Sequence, residues 1–243
     1  MEAQAPLLPT TTVAAATRPT TSPSTANIIA RVATVLLVAC VSLFAHHEAS
    51  KGFDIAVVNS AASRGTLAGR RFDVFFVSNG RAARVLHYAS RDVEQMLYPD
   101  ESFPRRRVTR VTVQMAARNL TAQATVAAGV APGEYVISLS PSLMSAADTA
   151  GAVTAAVRRA VARMWLWDGR GTAPAHILDS TVAYLADDEA APEDGRCISA
   201  RFLRLLESRQ SGFVARLNRA MRDRWSDGAV DTALGAPARR ECA

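Results

Sequence analysis

The sequence predicts an α+β domain in which helices pack on a small sheet, preceded by a separate N-terminal segment. Three observations carry this. Short runs rich in Val, Ile and Phe begin at residue 53 and dominate the first half of the chain. From about residue 148 the apolar residues recur at three- and four-residue spacing instead. Strands first and helices later is the order of an α+β domain rather than of alternating strand–helix units. With 243 residues, 49% of them apolar, the chain is long enough for one core and a tail.

Residues 1–26 are rich in Thr, Pro, Ala and Ser, with Glu2 as their one acid, and cannot bury enough apolar surface to order themselves. They run into residues 27–45, an apolar stretch interrupted by Arg31, at the border between a signal core and a short transmembrane helix. Because AHHEAS offers no small-x-small cleavage site, the segment reads as an uncleaved signal anchor. Residues 27–45 would then hold the protein to a membrane, with the C-terminal domain lumenal or extracellular. A cleaved, secreted form and an acid-poor organelle transit peptide are the alternatives. Arg18 and Arg31 on one side against Lys51 and Arg64 on the other leave the charge rule indecisive. His46 and His47 would lie at the lipid headgroups.

Within the domain, residues 51–235, FDIAVVN (53–59) and RFDVFFV (71–77) read as strands. Residues 81–97 read as an amphipathic helix with Val85, Tyr88, Ala89, Val93 and Met96 inward, ended by Pro99 and Pro104. Residues 108–115 alternate Val111, Val113 and Met115, and 134–140 alternate Tyr135, Ile137 and Leu139, as half-buried strands do. A helix over about 148–167 carries Val153, Val157, Ala160, Val161 and Met164 as one stripe, with Arg159 and Arg163 opposite. A short helix follows around His176 to Tyr184. Two more cover 197–209, with Ile198, Phe202, Leu205 and Leu206 inward, and 212–225, with Phe213, Leu217 and Met221 inward. Residues 236–243 form a tail.

The net charge of +6 comes almost wholly from arginine, since Lys51 is the one lysine, and it is scattered. Without a dense basic block or a basic stripe interleaved with aromatics, nucleic acid is not an expected partner. Cys40 lies in the N-terminal apolar run; Cys197 and Cys242 could form one bridge or remain free thiols. Asn119-Leu120-Thr121 is a glycosylation sequon, consistent with a lumenal domain.

The stretch Trp165-x-Trp167-Asp168-Gly169-x-Gly171-x-Ala173-Pro174, followed by Ile177, Leu178, Asp179 and Tyr184, carries a family resemblance. It continues through ARFLRLLES (200–208) and GFVARLNRAMRDRWSD (212–227), with RRFDVFFVSNGRAARVLHYA and EYVISLSPSLMS upstream. Over roughly residues 53–235 the chain resembles the plant basic secretory protein family, which stands among the zincin-like metallopeptidases. The resemblance implies a zincin-like fold and, in intact members, a zinc hydrolase with an HExxH helix. Two histidines at i and i+4 share one helix face and a tetrahedral zinc, and the glutamate between them takes a proton from the metal-bound water.

That frame puts the first histidine on Arg159, the glutamate on Ala160 and the second histidine on Arg163. The acidic pair of the following helix falls on Asp179, still acidic, and Ala183, which is not. A guanidinium stays protonated and has no lone pair for a metal, two of them repel a dication, and Ala160 has no carboxylate to act as a base. The expectation is a catalytically degenerate, metallopeptidase-like protein, a pseudoenzyme with no cofactor of its own, zinc belonging to intact relatives. Its former cleft, built from Arg159, Arg163, Trp165, Trp167 and Asp179 with Arg158 as a further wall, would suit an acidic peptide or other anion. Arg163 could instead pair with Asp179 and close the vacant site. The alternative is a zinc-dependent hydrolase with a non-standard site, for which His87, His176 and Asp179 are the candidate ligands. Ser140 and Ser180 lack histidine–acid partners and do not suggest a serine nucleophile. The sequence leaves the oligomeric state open.

Overall fold

The computed structural model describes residues 25–49, 52–60, 65–188 and 198–237. It divides into two units, residues 1–50 and 51–243. The described residues of the first form one helix, α1 (Thr25–Ala49). Among the described residues no helix is long and apolar enough to cross a membrane, so the spanning anchor expected over 27–45 finds no support here.

The second unit holds a four-stranded mixed sheet with the order β1-β2-β4-β3. Strands β1 (Asp54–Val58), β2 (Arg110–Met115) and β4 (Glu134–Leu139) run parallel, with Val57 opposite Val113 and Val113 opposite Ile137. Strand β3 (Ala124–Ala128) is an antiparallel edge, with Val126 opposite Ile137. The small mixed sheet matches expectation, as does the burial of Val111, Val113, Met115, Ile137 and Leu139. Tyr135 is only half-buried. The edge strand was not legible. Ala124, Ala127 and Ala128 carry little β propensity, and β3 forms because it borders β4.

Residues 71–77 are a correction. They are helical, comprising α2 (Leu67–Phe72) and a π-helical turn (Asp73–Val77) closed by the Ser78 N–H donating to the Asp73 carbonyl at 2.9 Å. The Thr66 hydroxyl caps α2 by accepting from the Gly69 N–H at 3.0 Å. Phe72 and Phe76 are four residues apart and fully buried, with rings stacked at 5.8 Å, while Val74 and Phe75 face solvent. That is helical spacing, and it overrides the β preference of a Val/Phe run.

Helix α3 (Arg81–Leu97) has the expected ends, but its buried face is Ala82, Leu86, Ala89, Ser90, Val93 and Leu97. Tyr88 is 59% exposed, Met96 is exposed and Val85 is only half-buried. Small residues at 82, 89 and 90 face inward because α4 (Thr149–Trp165) packs closely there, and a reading weighted toward large side chains rotates the stripe.

In α4 the buried set includes Val153, Val157, Ala160, Val161 and Met164, as expected. Each fully buried Val or Met contributes on the order of 1.5–3 kcal/mol. Helix α4 packs on α3, on β3 and β4, and on α5 (Ala175–Leu185), so it is the central beam of the unit. Helix α6 (Ala200–Arg209) buries Leu203 and Leu206, whereas Leu205, expected inward, is exposed. Phe213, Leu217 and Met221 are buried at and just beyond α7 (Phe213–Ala220). A further short helix, α8 (Ala229–Leu234), packs on α7. Cys197, Cys242 and the tail from 238 lie outside the described residues.

Candidate functional site

The Asp148 carboxylate starts α4 by accepting from the Gly151 N–H at 2.9 Å. Helical spacing then sets Arg159 and Arg163 one turn apart, and both are held. Arg159 Nη1 donates to Asp188 Oδ2, just beyond α5, at 2.6 Å, and its Nη2 donates to Gln123 Oε1 at the entry to β3. The Arg159 and Asp188 side chains are 33% and 19% exposed. Arg163 Nη1 donates to Asp179 Oδ1 on α5 at 3.1 Å, with side chains 44% and 72% exposed. Ala160 and Ala183 are both buried.

The helix ends in a joint fixed from three directions. The Tyr98 hydroxyl donates to the Trp165 carbonyl at 2.7 Å, Arg106 Nη1 donates to the Leu166 carbonyl at 2.6 Å, and the Trp167 N–H donates to Asn218 Oδ1 at 2.8 Å. Burial holds the Tyr98 phenol above its usual range, with the Asn218 side chain and the Arg106 backbone opposing that shift. In the turn that follows, the Asp168 carboxylate accepts from the Arg170 N–H at 3.1 Å. Gly169 has φ +61°, and a Cβ there would stand 2.8 Å from the Trp225 nitrogen and 2.9 Å from Thr172 Oγ1. Only glycine fits that position.

The two tryptophans part company. Trp165 is a core residue, with its indole N–H donating to Ser90 Oγ at 3.3 Å and its ring edge-on to Phe53 and Tyr98. It is not a cleft residue, because the last turn of α4 points it at α3. Trp167 is half-buried, donates from its indole N–H to the Pro104 carbonyl at 3.2 Å, and carries the Arg106 guanidinium 5.3 Å above its ring. Arg106 also lies 5.6 Å from the Tyr135 ring centre. A pocket of about 240 Å³ opens beside it, with Arg106, Arg163, Tyr135, Asp168 and residues 126–128 of β3 among its lining. Arg158 lines a different pocket, with Tyr184 and Arg204.

Arg106, Gln123 and Asp188 are therefore the site residues that sequence reasoning missed. The run Arg105-Arg106-Arg107 was the available signal for the first. Gln123 and Asp188 are brought in only by the pairing of β3 with β4 and by the end of α5.

The set expected as an alternative, His87, His176 and Asp179, is not gathered into one cluster. His176 lies on the first turn of α5, His87 stands on α3 with its ring 5.8 Å from that of Tyr88, and Asp179 is occupied by Arg163. Among the described residues no group of three or more His, Cys, Asp or Glu side chains is placed to hold a metal ion. The donor set does not fit zinc, since the side chains facing Asp179 and Asp188 are guanidiniums. Ser140 is fully buried and its hydroxyl accepts from the Leu120 N–H at 3.2 Å, while the Ser180 hydroxyl donates to the Ile198 carbonyl at 2.8 Å. Both are structural.

The family model BSP, peptidase of plants and bacteria, matches residues 50–242. No curated protein and no solved structure matches the chain.

Proposed function

The chain belongs to the BSP family, peptidase of plants and bacteria, and we propose that this member is a catalytically inactive, peptidase-like protein that acts by binding. The observation that carries the reading is the pair of arginines at 159 and 163, each already tied to an acid. Neither can ligate a metal, and Ala160 supplies no general base. The ties to Asp188 and Asp179 hold α4 to the segment around α5, where a metal in intact relatives would bridge. The bound partner is an acidic peptide or other anion, received beside α4. The exposed Asn119 of the sequon is consistent with a lumenal or secreted protein.

Elemental mass spectrometry on the full-length protein, dialysed against a zinc-buffered solution, tests the first part. The expected content is below about a tenth of an equivalent of tightly held zinc, with no peptide cleavage. About one equivalent together with cleavage of a peptide library would overturn the reading.

A further inference from the structure

We infer that the pocket beside Arg106 is a carboxylate subsite, in which Arg106 supplies the fixed guanidinium and Arg163 the adjustable one. This rests on the binding reading above and moves its centre away from Arg159.

Three features of Arg106 support the assignment. One nitrogen is anchored on the Leu166 carbonyl at 2.6 Å, and the guanidinium lies over the rings of Trp167 and Tyr135. The carbonyl anchor and the two cation–π contacts together confine the guanidinium, so its remaining N–H groups are restricted before any ligand arrives. No carboxylate among the described residues lies within ion-pairing distance of Arg106, unlike Arg159, whose Nη1 and Nη2 are both engaged. A half-buried, confined and unneutralised arginine at a pocket wall is a ready partner for a planar anion.

The pocket chooses the kind of anion. Arg106, Arg163 and Asp168 are the charged groups that line it, leaving a balance of one positive charge. That suits a carboxylate, which carries a single charge, better than a phosphate dianion, which the Asp168 carboxylate would repel. A volume of about 240 Å³ holds a side chain or a chain terminus rather than a folded ligand. Arg163 can turn toward the guest because its present partner, Asp179, is 72% exposed and the pair is worth little in water.

The test titrates the full-length protein by calorimetry with three capped tripeptides and with inorganic phosphate. The peptides are Ac-Ala-Glu-Ala-amide, Ac-Ala-Gln-Ala-amide and Ac-Ala-Ala-Ala with a free terminus, and the Trp167 indole N–H is followed by NMR. At least one carboxylate peptide is expected to bind roughly tenfold or more tightly than the glutamine peptide and to shift the Trp167 signal. Which of the two binds identifies an acidic side chain or a chain end as the source. Arg106→Gln should abolish the preference, Arg106→Lys should weaken it, and Arg91→Gln, at an exposed position of α3 outside the pocket lining, should leave it intact. Arg163→Gln should reduce it several-fold, which keeps the test decisive if Arg106→Gln fails to fold.

Equal binding of the Glu and Gln peptides, tighter binding of phosphate, or a preference surviving Arg106→Gln would overturn the subsite. Loss of binding in an Arg159→Gln protein that keeps its fold, with binding retained in Arg106→Gln, would also overturn it while leaving the binding reading standing. No binding by any peptide, with zinc absent and no cleavage, would sink the subsite but not the inactive reading. Zinc and cleavage together would sink both.

Discussion

Arg163 on α4 donates to Asp179 on α5 across 3.1 Å, tying the two helices together at the candidate site. The geometry is good, but Arg163 is 44% and Asp179 72% exposed. Water screens such a pair, so Asp179→Asn is expected to cost below about 1 kcal/mol in urea unfolding at ordinary salt. A loss of several kcal/mol would mean that this pair, rather than the core, fastens α5.

Arg159 is different in kind. Its guanidinium spans from Gln123 at the start of β3 to Asp188 beyond α5, in partly shielded surroundings. Removing it leaves the Asp188 carboxylate and the Gln123 carbonyl short of one donor each. Arg159→Ala should therefore cost on the order of 1–3 kcal/mol, measured as a shift of the urea midpoint at constant slope. Asp188→Asn should cost less, because Gln123 still holds the arginine.

Gly169 makes the sharpest backbone prediction. Its φ of +61° and the 2.8 Å approach to the Trp225 nitrogen leave no room for a methyl group. Gly169→Ala should destabilise by about 2 kcal/mol or more and lower the thermal midpoint. A neutral result would mean that the 224–225 backbone shifts at little cost.

Glu94 on α3 gives a pH prediction. Burial raises its carboxyl above the ordinary 4.5, with the Arg105 guanidinium opposing the shift. A raised acid favours the folded state while protonated, so its contribution is complete below the unfolded value and is lost as pH rises through the folded one. Glu94→Gln should thus stabilise the protein at pH 7 and lose that advantage near pH 4. Parallel thermal melts of the two proteins across that range check it.

What the sequence disclosed was whatever periodicity alone determines. Val111, Val113 and Met115 alternate, and the α4 stripe recurs at helical spacing, so both elements and their buried faces were legible. Phe72 and Phe76 were legible as apolar but not as helical, because a Val/Phe run satisfies strand and helix templates alike until its neighbours are known. The Arg163–Asp179 contact was one alternative that the family resemblance opened by setting both positions at one site, and spacing alone did not give it. The position of Arg106 could not be written down either, since it depends on a loop meeting the end of α4 some 60 residues later in the chain.

That meeting point also bears on cooperativity. Tyr98, Arg106 and Asn218 grip three consecutive residues from sequence separations of 67, 60 and 51. A fragment that lacks either end loses at least one of these bonds, so the exit of α4 closes fully only when the N-terminal and C-terminal halves of the unit are both in place. The Trp167 amide should accordingly exchange its proton with solvent only through global opening. In that sense the last turn of α4 works as a latch on the whole domain, and its exchange rate reads the domain's folding free energy directly.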